Sequence, residues 1–268
     1  MPYVTKGYLL LDEIKDLSDN DEHLVEIIKD FESNLSSGYK KYPYDEALLA
    51  LEHDFSKQID SLPKAITKLS DALRKNSDNI FLVKRYAKYY IQNGNYSLAR
   101  QTMNNFLRNH INNKEINFLM AESYINEDEK KNFNLIIKYL KNSYSSNDNS
   151  YYEKFTHARF EYVYGSEARA YSIFQELTEA RLPAKMKNNE MGLILDSLKK
   201  EKVFDACIVT INPDYGFIKC YEYQENIYVH KSSISDYESW ELLSPNDCVK
   251  ISIIFTFRGP RVKKLSIV

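Results

Sequence analysis

Apolar residues through the first three quarters of the chain recur every three to four positions, the period of a helix with one buried face. Two such stretches occupy 7–17 and 22–35, and LLALEHDF and ALRKN continue the pattern further on. The run 80–113 is the clearest. It sets Ala87, Tyr90, Ala99, Met103, Phe106 and Leu107 on helical faces either side of Gly94-Asn95, a turn signal between two helices. Beyond residue 200 the vocabulary changes to β-branched runs, ACIVTI, NIYVH and CVKISIIFTF, which predict strands. The boundary is expected near Lys200, after the charged segment LDSLKKEK, with 184–200 forming a last helix that caps the helical part. The predicted fold is α+β multidomain and mostly α: a helical domain over 1–200 and a small strand-rich domain over 204–268.

The helical pattern repeats. The spacing of Ala87, Tyr90, Gly94, Tyr96, Ala99 and Phe106 is matched at 46–79 by Ala65, Leu69, Ala72 and Leu73. At 114–150 it is matched by Ala121 and Tyr124, with a turn, NEDEKKN, three residues longer. At 151–183 it is matched by Ala158, Gly165, Ala170 and Phe174. A helix–turn–helix unit of about 34 residues with small residues at the helix crossing resembles the tetratricopeptide repeat. The resemblance implies an α-solenoid whose first helices line a concave surface that holds an extended peptide or a partner's helix. By register that surface carries Lys84, Lys88 and Ile91, then Phe118 and Glu122, and from the fourth repeat Phe155, Arg159 and Tyr162. Aromatic anchors among charges suit a protein partner.

In the strands, side chains alternate between faces. Tyr215 and Phe217 share one face of DYGFIK and Gly216 and Ile218 the other; Tyr228 and His230 share one face of NIYVHK and Ile227 and Val229 the other. The aliphatic set is expected in the core, which leaves four rings facing water. Exposed rings on a sheet are what unpaired bases stack on, at about 1–3 kcal/mol per base and with little regard to sequence.

Tyr-Gly-Phe-Ile at 215–218, Ile-Tyr-Val-His at 227–230, Ser233-Ile234, the loop from Leu243 to Val249 and Arg-Gly-Pro at 258–260 stand in one collinear order. That order resembles the cold-shock domain, a five-stranded OB-type barrel. The resemblance implies that Tyr215, Phe217, Tyr228 and His230 stack on single-stranded RNA or DNA. It also implies that Lys219, Lys231 and Arg258 contact phosphate or base edges. The pattern departs from the family at Thr210, where a Trp is usual, at Ile211, and at Pro213-Asp214, which replace a Lys-Gly. Trp240 or Tyr237 is the candidate replacement for the missing ring. Similar solenoid-plus-barrel arrangements occur at the ends of larger bacterial signalling and anti-phage defence proteins, so the resemblance also implies a sensor arm or a subunit of such an assembly.

Composition narrows the choice. Glycine and proline number 7 each in 268 residues, few enough breakers to favour helices. With 36 Lys plus Arg against 38 Asp plus Glu, the net charge is −2, which excludes a polycation that grips duplex DNA by charge alone. Residues 201–268 hold 8 basic and 9 acidic residues, Glu222 and Glu225 among them between the ring motifs, so any salt dependence of binding should be shallow.

The start of the chain lacks the basic flank and cleavage site of a secretory signal, and no apolar run is long enough to span a bilayer. A cytoplasmic protein without membrane attachment is expected. Cys207, Cys220 and Cys248 fit neither a disulfide framework nor a zinc site and read as small buried groups in strands. No P-loop, dinucleotide fingerprint or metal-binding histidine pair occurs, and His157 is expected to pack within the fourth repeat. The sequence therefore predicts no catalytic residue, no metal and no small-molecule cofactor. Its leading reading is a non-enzymatic binding protein with a protein partner on the solenoid and a nucleic acid on the barrel. The alternative is a structural adaptor whose barrel binds no nucleic acid.

Overall fold

Asparagine and serine side chains start many of the helices. Asn79, Asn95 and Ser166 accept hydrogen bonds from the backbone N–H three residues on, and Asp45 accepts from Ala47 and Leu48 at 3.0 and 3.1 Å. Each supplies a partner for donors that the first helical turn leaves open. The computed structural model describes residues 2–16, 22–42, 45–58, 70–71, 73–146, 148–183, 186 and 190–268.

The helices are α1 (Pro2–Asp16), α2 (Glu22–Lys41), α3 (Glu46–Gln58), α4 (Ile80–Gln92), α5 (Tyr96–Leu107), α6 (Lys114–Asp128), α7 (Phe133–Lys141), α8 (Tyr151–Tyr164), α9 (Glu167–Glu179) and the short α10 (Tyr237–Leu242). The strands are β1 (Phe204–Ile211), β2 (Tyr215–Cys220), β3 (Asn226–His230), β4 (Cys248–Thr256) and β5 (Gly259–Ile267). First helices thus begin at Glu46, Ile80, Lys114 and Tyr151. Of the second-helix positions expected for the first of these repeats, Ala65, Leu69 and Ala72 lie outside the described residues.

Two compact units divide the chain, Met1–Glu127 and Asp128–Val268. In the first, α1, α2 and α3 close over Leu11, Phe31, Leu48, Leu51 and Phe55, with the Phe31 and Phe55 rings stacked at 3.9 Å.

In the second unit the five strands form a closed barrel in the order β1-β2-β3-β5-β4, antiparallel except where β3 meets β5. Its core does not stop at the strands. Phe155, Ala158 and Tyr162 of α8 and Ala170, Phe174 and Leu177 of α9 are buried in one cluster with Phe204, Ile218, Val229, Phe255 and Phe257. Phe155 lies 4.9 Å from Phe257, Tyr162 lies 4.4 Å from Tyr223, and Phe255 is sandwiched between Tyr162 and Phe174. The expected boundary near Lys200 therefore runs through a unit whose last helical hairpin and barrel share a core. Two apolar surfaces, one on a helix pair and one on a small barrel, each too small to be dry alone, are buried against each other.

The expected capping helix does not run on to residue 200. Residues 184–185 and 187–189 lie outside the described residues and Met186 is helical, but 191–195 is a bridged strap and 196–200 a turn with Lys199 at φ +59°. Met191 exchanges backbone hydrogen bonds with Phe255 at 2.8 and 3.2 Å, Ile194 N–H donates to the Ile253 carbonyl at 3.0 Å, and a further bridge joins Leu195 to Glu201. The reason is an open edge. β1 pairs with β4 only along Cys248–Ile251, so the rest of that edge of β4 would be unpaired, and the strap formed by 191–194 satisfies it. Gly192, at φ +72°, lets the strap turn there, close against Arg159.

His157 lies 4% exposed in α8. Its Nδ1 shares a 2.6 Å hydrogen bond with the Tyr144 hydroxyl, and its Nε2 stands 3.5 Å from the buried Glu161 carboxylate. Burial lowers its pKa to about 4, against an opposing pull from Glu161. Between the unfolded value near 6.5 and that folded value, the unfolded chain binds a proton that the folded chain refuses. Stability should therefore fall on acidification through this window by about 1.4 kcal/mol per pH unit, then level off. Urea midpoints across pH 7 to 4 should show the slope, and His157→Gln should flatten it.

Candidate nucleic-acid interface

The β2–β3 register sets Tyr215 opposite His230 and Phe217 opposite Tyr228. Their neighbours Gly216, Ile218, Ile227 and Val229 are buried, while Tyr215, Phe217 and Tyr228 keep 42%, 37% and 37% of their surface in water. The three rings meet on the outer face. Tyr215 and Tyr228 lie nearly parallel with centroids 6.0 Å apart, and Phe217 presents an edge to each at 6.2 and 6.1 Å. Contacts among the rings hold them as a platform without covering it. Gly216, on the inner face between Tyr215 and Phe217, lets β1 approach closely: a Cβ there would come 2.5 Å from the Thr210 carbonyl, a backbone atom that cannot yield.

His230 is exposed beside Tyr215 but is already engaged. Its Nδ1 accepts from Ser232 N–H at 3.2 Å, which starts the 3-10 turn Lys231–Ser233, and meets the Ser232 hydroxyl at 2.8 Å. Thr210, where the missing ring would stand, is the register partner of Phe217 and is exposed. Trp240 does not replace it. Its ring is 2% exposed and its Nε1–H donates to the Asn212 carbonyl at 3.0 Å, so it serves the core. The side chain of Tyr237 lies outside the described residues.

The cations are muted. Lys219 donates to the Gln224 carbonyl, and Lys231 stands 3.3 Å from Glu241. Arg258 is exposed in the β4–β5 turn, where it lines a groove with Ala168, Tyr171, Ser172, Phe174, Gln175 and Thr178 of α9. The strand register brings Arg261, not Arg258, to Tyr228. Arg261 is held 3.0 Å from Glu190, a carboxylate it shares with Lys263. Sequence reasoning passed over Arg261 because the parallel β3–β5 contact that places it joins strands far apart in the chain.

The concave-surface residues divide in two. Phe155 and Tyr162 are each 2% exposed in the core shared with the barrel, and Arg159 packs on the Phe160 ring and against Gly192 of the strap. These three are occupied by the chain itself and are withdrawn as a docking surface for a partner. In the first unit Lys84 pairs with Glu115 between α4 and α6, Lys88 is exposed, and Ile91, Phe118 and Glu122 are half-buried.

Among the described residues no cluster of three His, Cys, Asp or Glu side chains is placed to hold a metal ion, and no helix is long and apolar enough to cross a membrane.

No protein-family model matches the chain, and no curated protein is similar to it. Solved structures of MamA are similar at the level of backbone only. The RS-1 ArsTM double mutant has a TM-score of 0.46 at 11% identity, over 65% of this chain and 93% of that one. The AMB-1 form has a TM-score of 0.44 at 15% identity, over 68% and 93%, and the MSR-1 form 0.42 at 16%, over 66% and 93%.

Proposed function

We propose that the barrel binds short single-stranded RNA or DNA weakly and with little sequence preference, by stacking bases on Tyr215, Phe217 and Tyr228. One observation carries this reading: the sheet puts its aliphatic side chains inside and three large rings, in mutual contact, outside. The closed strand order β1-β2-β3-β5-β4 supports reading the barrel as OB-type, a fold whose outer sheet takes oligonucleotides. Lys219, Lys231, Arg258 and His230 border the stack as polar contacts, with Arg261 added by the register. Because most of these cations already have partners, binding relies on stacking more than on phosphate charge.

The helical part would hold a protein through Lys84, Lys88, Ile91, Phe118 and Glu122, which makes the chain a non-enzymatic adaptor. Two weak sites on one chain raise avidity where an assembly offers both ligands. A fluorescein-labelled single strand titrated with protein at low salt tests the first site by polarisation. Saturable binding at tens of micromolar with a shallow salt slope is expected. No binding in that range would leave a protein adaptor whose barrel serves only packing.

A further inference from the structure

On the barrel's outer surface Cys207 of β1 stands directly opposite Cys248 of β4. The hydrogen-bond pattern fixes what kind of pair this is. Ile208 N–H donates to the Asp247 carbonyl at 3.0 Å and its carbonyl accepts from Asn246 N–H at 2.8 Å, so 246–247 bulge opposite Ile208 with Asn246 at φ +75°. In the regular register that follows, Cys207 and Cys248 fall in the non-hydrogen-bonded position. There opposing Cα atoms lie about 4.5 Å apart with side chains close, inside the roughly 4.4–6.8 Å span of disulfides.

The equivalent couple one step along, Asp205 and Lys250, shows that side chains on this face reach each other, with an ion pair at 3.0 Å. Cys248 is exposed, Cys207 is half-buried, and the third thiol, Cys220, is buried on the inner face. The exposed phenol of Tyr221 hydrogen-bonds with Cys207, and charge at Cys207, followed by desolvation and charge at Cys248, raises its pKa.

We infer that Cys207 and Cys248 form a dithiol site that is oxidised to an intrachain disulfide by a low-molecular-weight disulfide such as oxidised glutathione. The Cys248 thiolate attacks one sulfur of the reagent, a mixed disulfide forms, and one glutathione thiolate leaves. The Cys207 thiolate then attacks the Cys248 sulfur and expels the second. Two protein thiols are oxidised, one glutathione disulfide is reduced to two thiols, and the protons lost by the cysteines pass to the leaving thiolates. The bond would staple β1 to β4 where the register already holds them together, so it needs no movement of strands.

The test incubates the reduced full-length protein with oxidised glutathione and follows it by intact mass and peptide mapping. The expected product is a monomer lighter by two hydrogens, with a Cys207–Cys248 linked peptide, Cys220 unlinked, a rate independent of protein concentration, and reversal by dithiothreitol. Cys248→Ser and Cys207→Ser, both on the outer face, should form no internal bond and instead retain one glutathione. Stable glutathione adducts on the unmutated chain, a covalent dimer, a bond to Cys220, or an unchanged mass would each overturn the proposal.

Discussion

Replacing Phe255 with alanine should lower the stability of the 128–268 unit by about 3–5 kcal/mol, the usual result of removing a buried phenylalanine ring. The ring is fully buried, edge-on to Tyr162 at 5.4 Å and parallel to Phe174 at 6.1 Å, so it touches β4, α8 and α9 at once. Because helix and strand residues share the core, the far-ultraviolet signal of α8 and α9 and the near-ultraviolet signal of the barrel's rings should be lost in a single transition. A barrel that melted at its own temperature, with α8 and α9 unaffected, would mean that the shared core contributes little.

The second large effect concerns the ligand. Phe217→Ala and Tyr228→Ala each remove an exposed ring, so the fold should tolerate them while binding suffers. At about 1–3 kcal/mol per stacked base, each should weaken the single strand by roughly 5- to 150-fold. Because the two rings touch, the double variant should lose less than the sum. Lys231→Ala is the useful contrast. Its ammonium is already 3.3 Å from Glu241, and its loss should change affinity little. The reverse ranking, with lysine dominant and rings neutral, would point to a phosphate-tracking surface instead.

Periodicity carried most of the fold. The helix starts at Ile80, Lys114 and Tyr151 and the inside–outside sorting of β2 and β3 follow from local pattern, because a 3.6-residue stripe and a two-residue alternation are both visible within a dozen positions. What the pattern could not show was which apolar stripe faces which. The face of α8 that carries Phe155 and Tyr162 looks, by register, like the continuation of an open groove. It is instead the seat of the barrel, since residues 50 to 100 positions away cover it. Likewise 191–194 has helix-compatible residues, and only the unpaired edge of β4 explains why it is extended. Trp240 and Arg261 are the same lesson at single positions: one turned inward, the other brought beside Tyr228 by a parallel strand contact.

Photo-cross-linking of a single strand bearing 5-iodouracil, followed by mass mapping of the joined peptides, asks most directly whether unpaired bases rest on the outer sheet. Adducts should concentrate on Tyr215, Phe217 and Tyr228 and vanish when unlabelled strand competes. Adducts confined to the helices, or none on β2 and β3 at saturating strand, would contradict it.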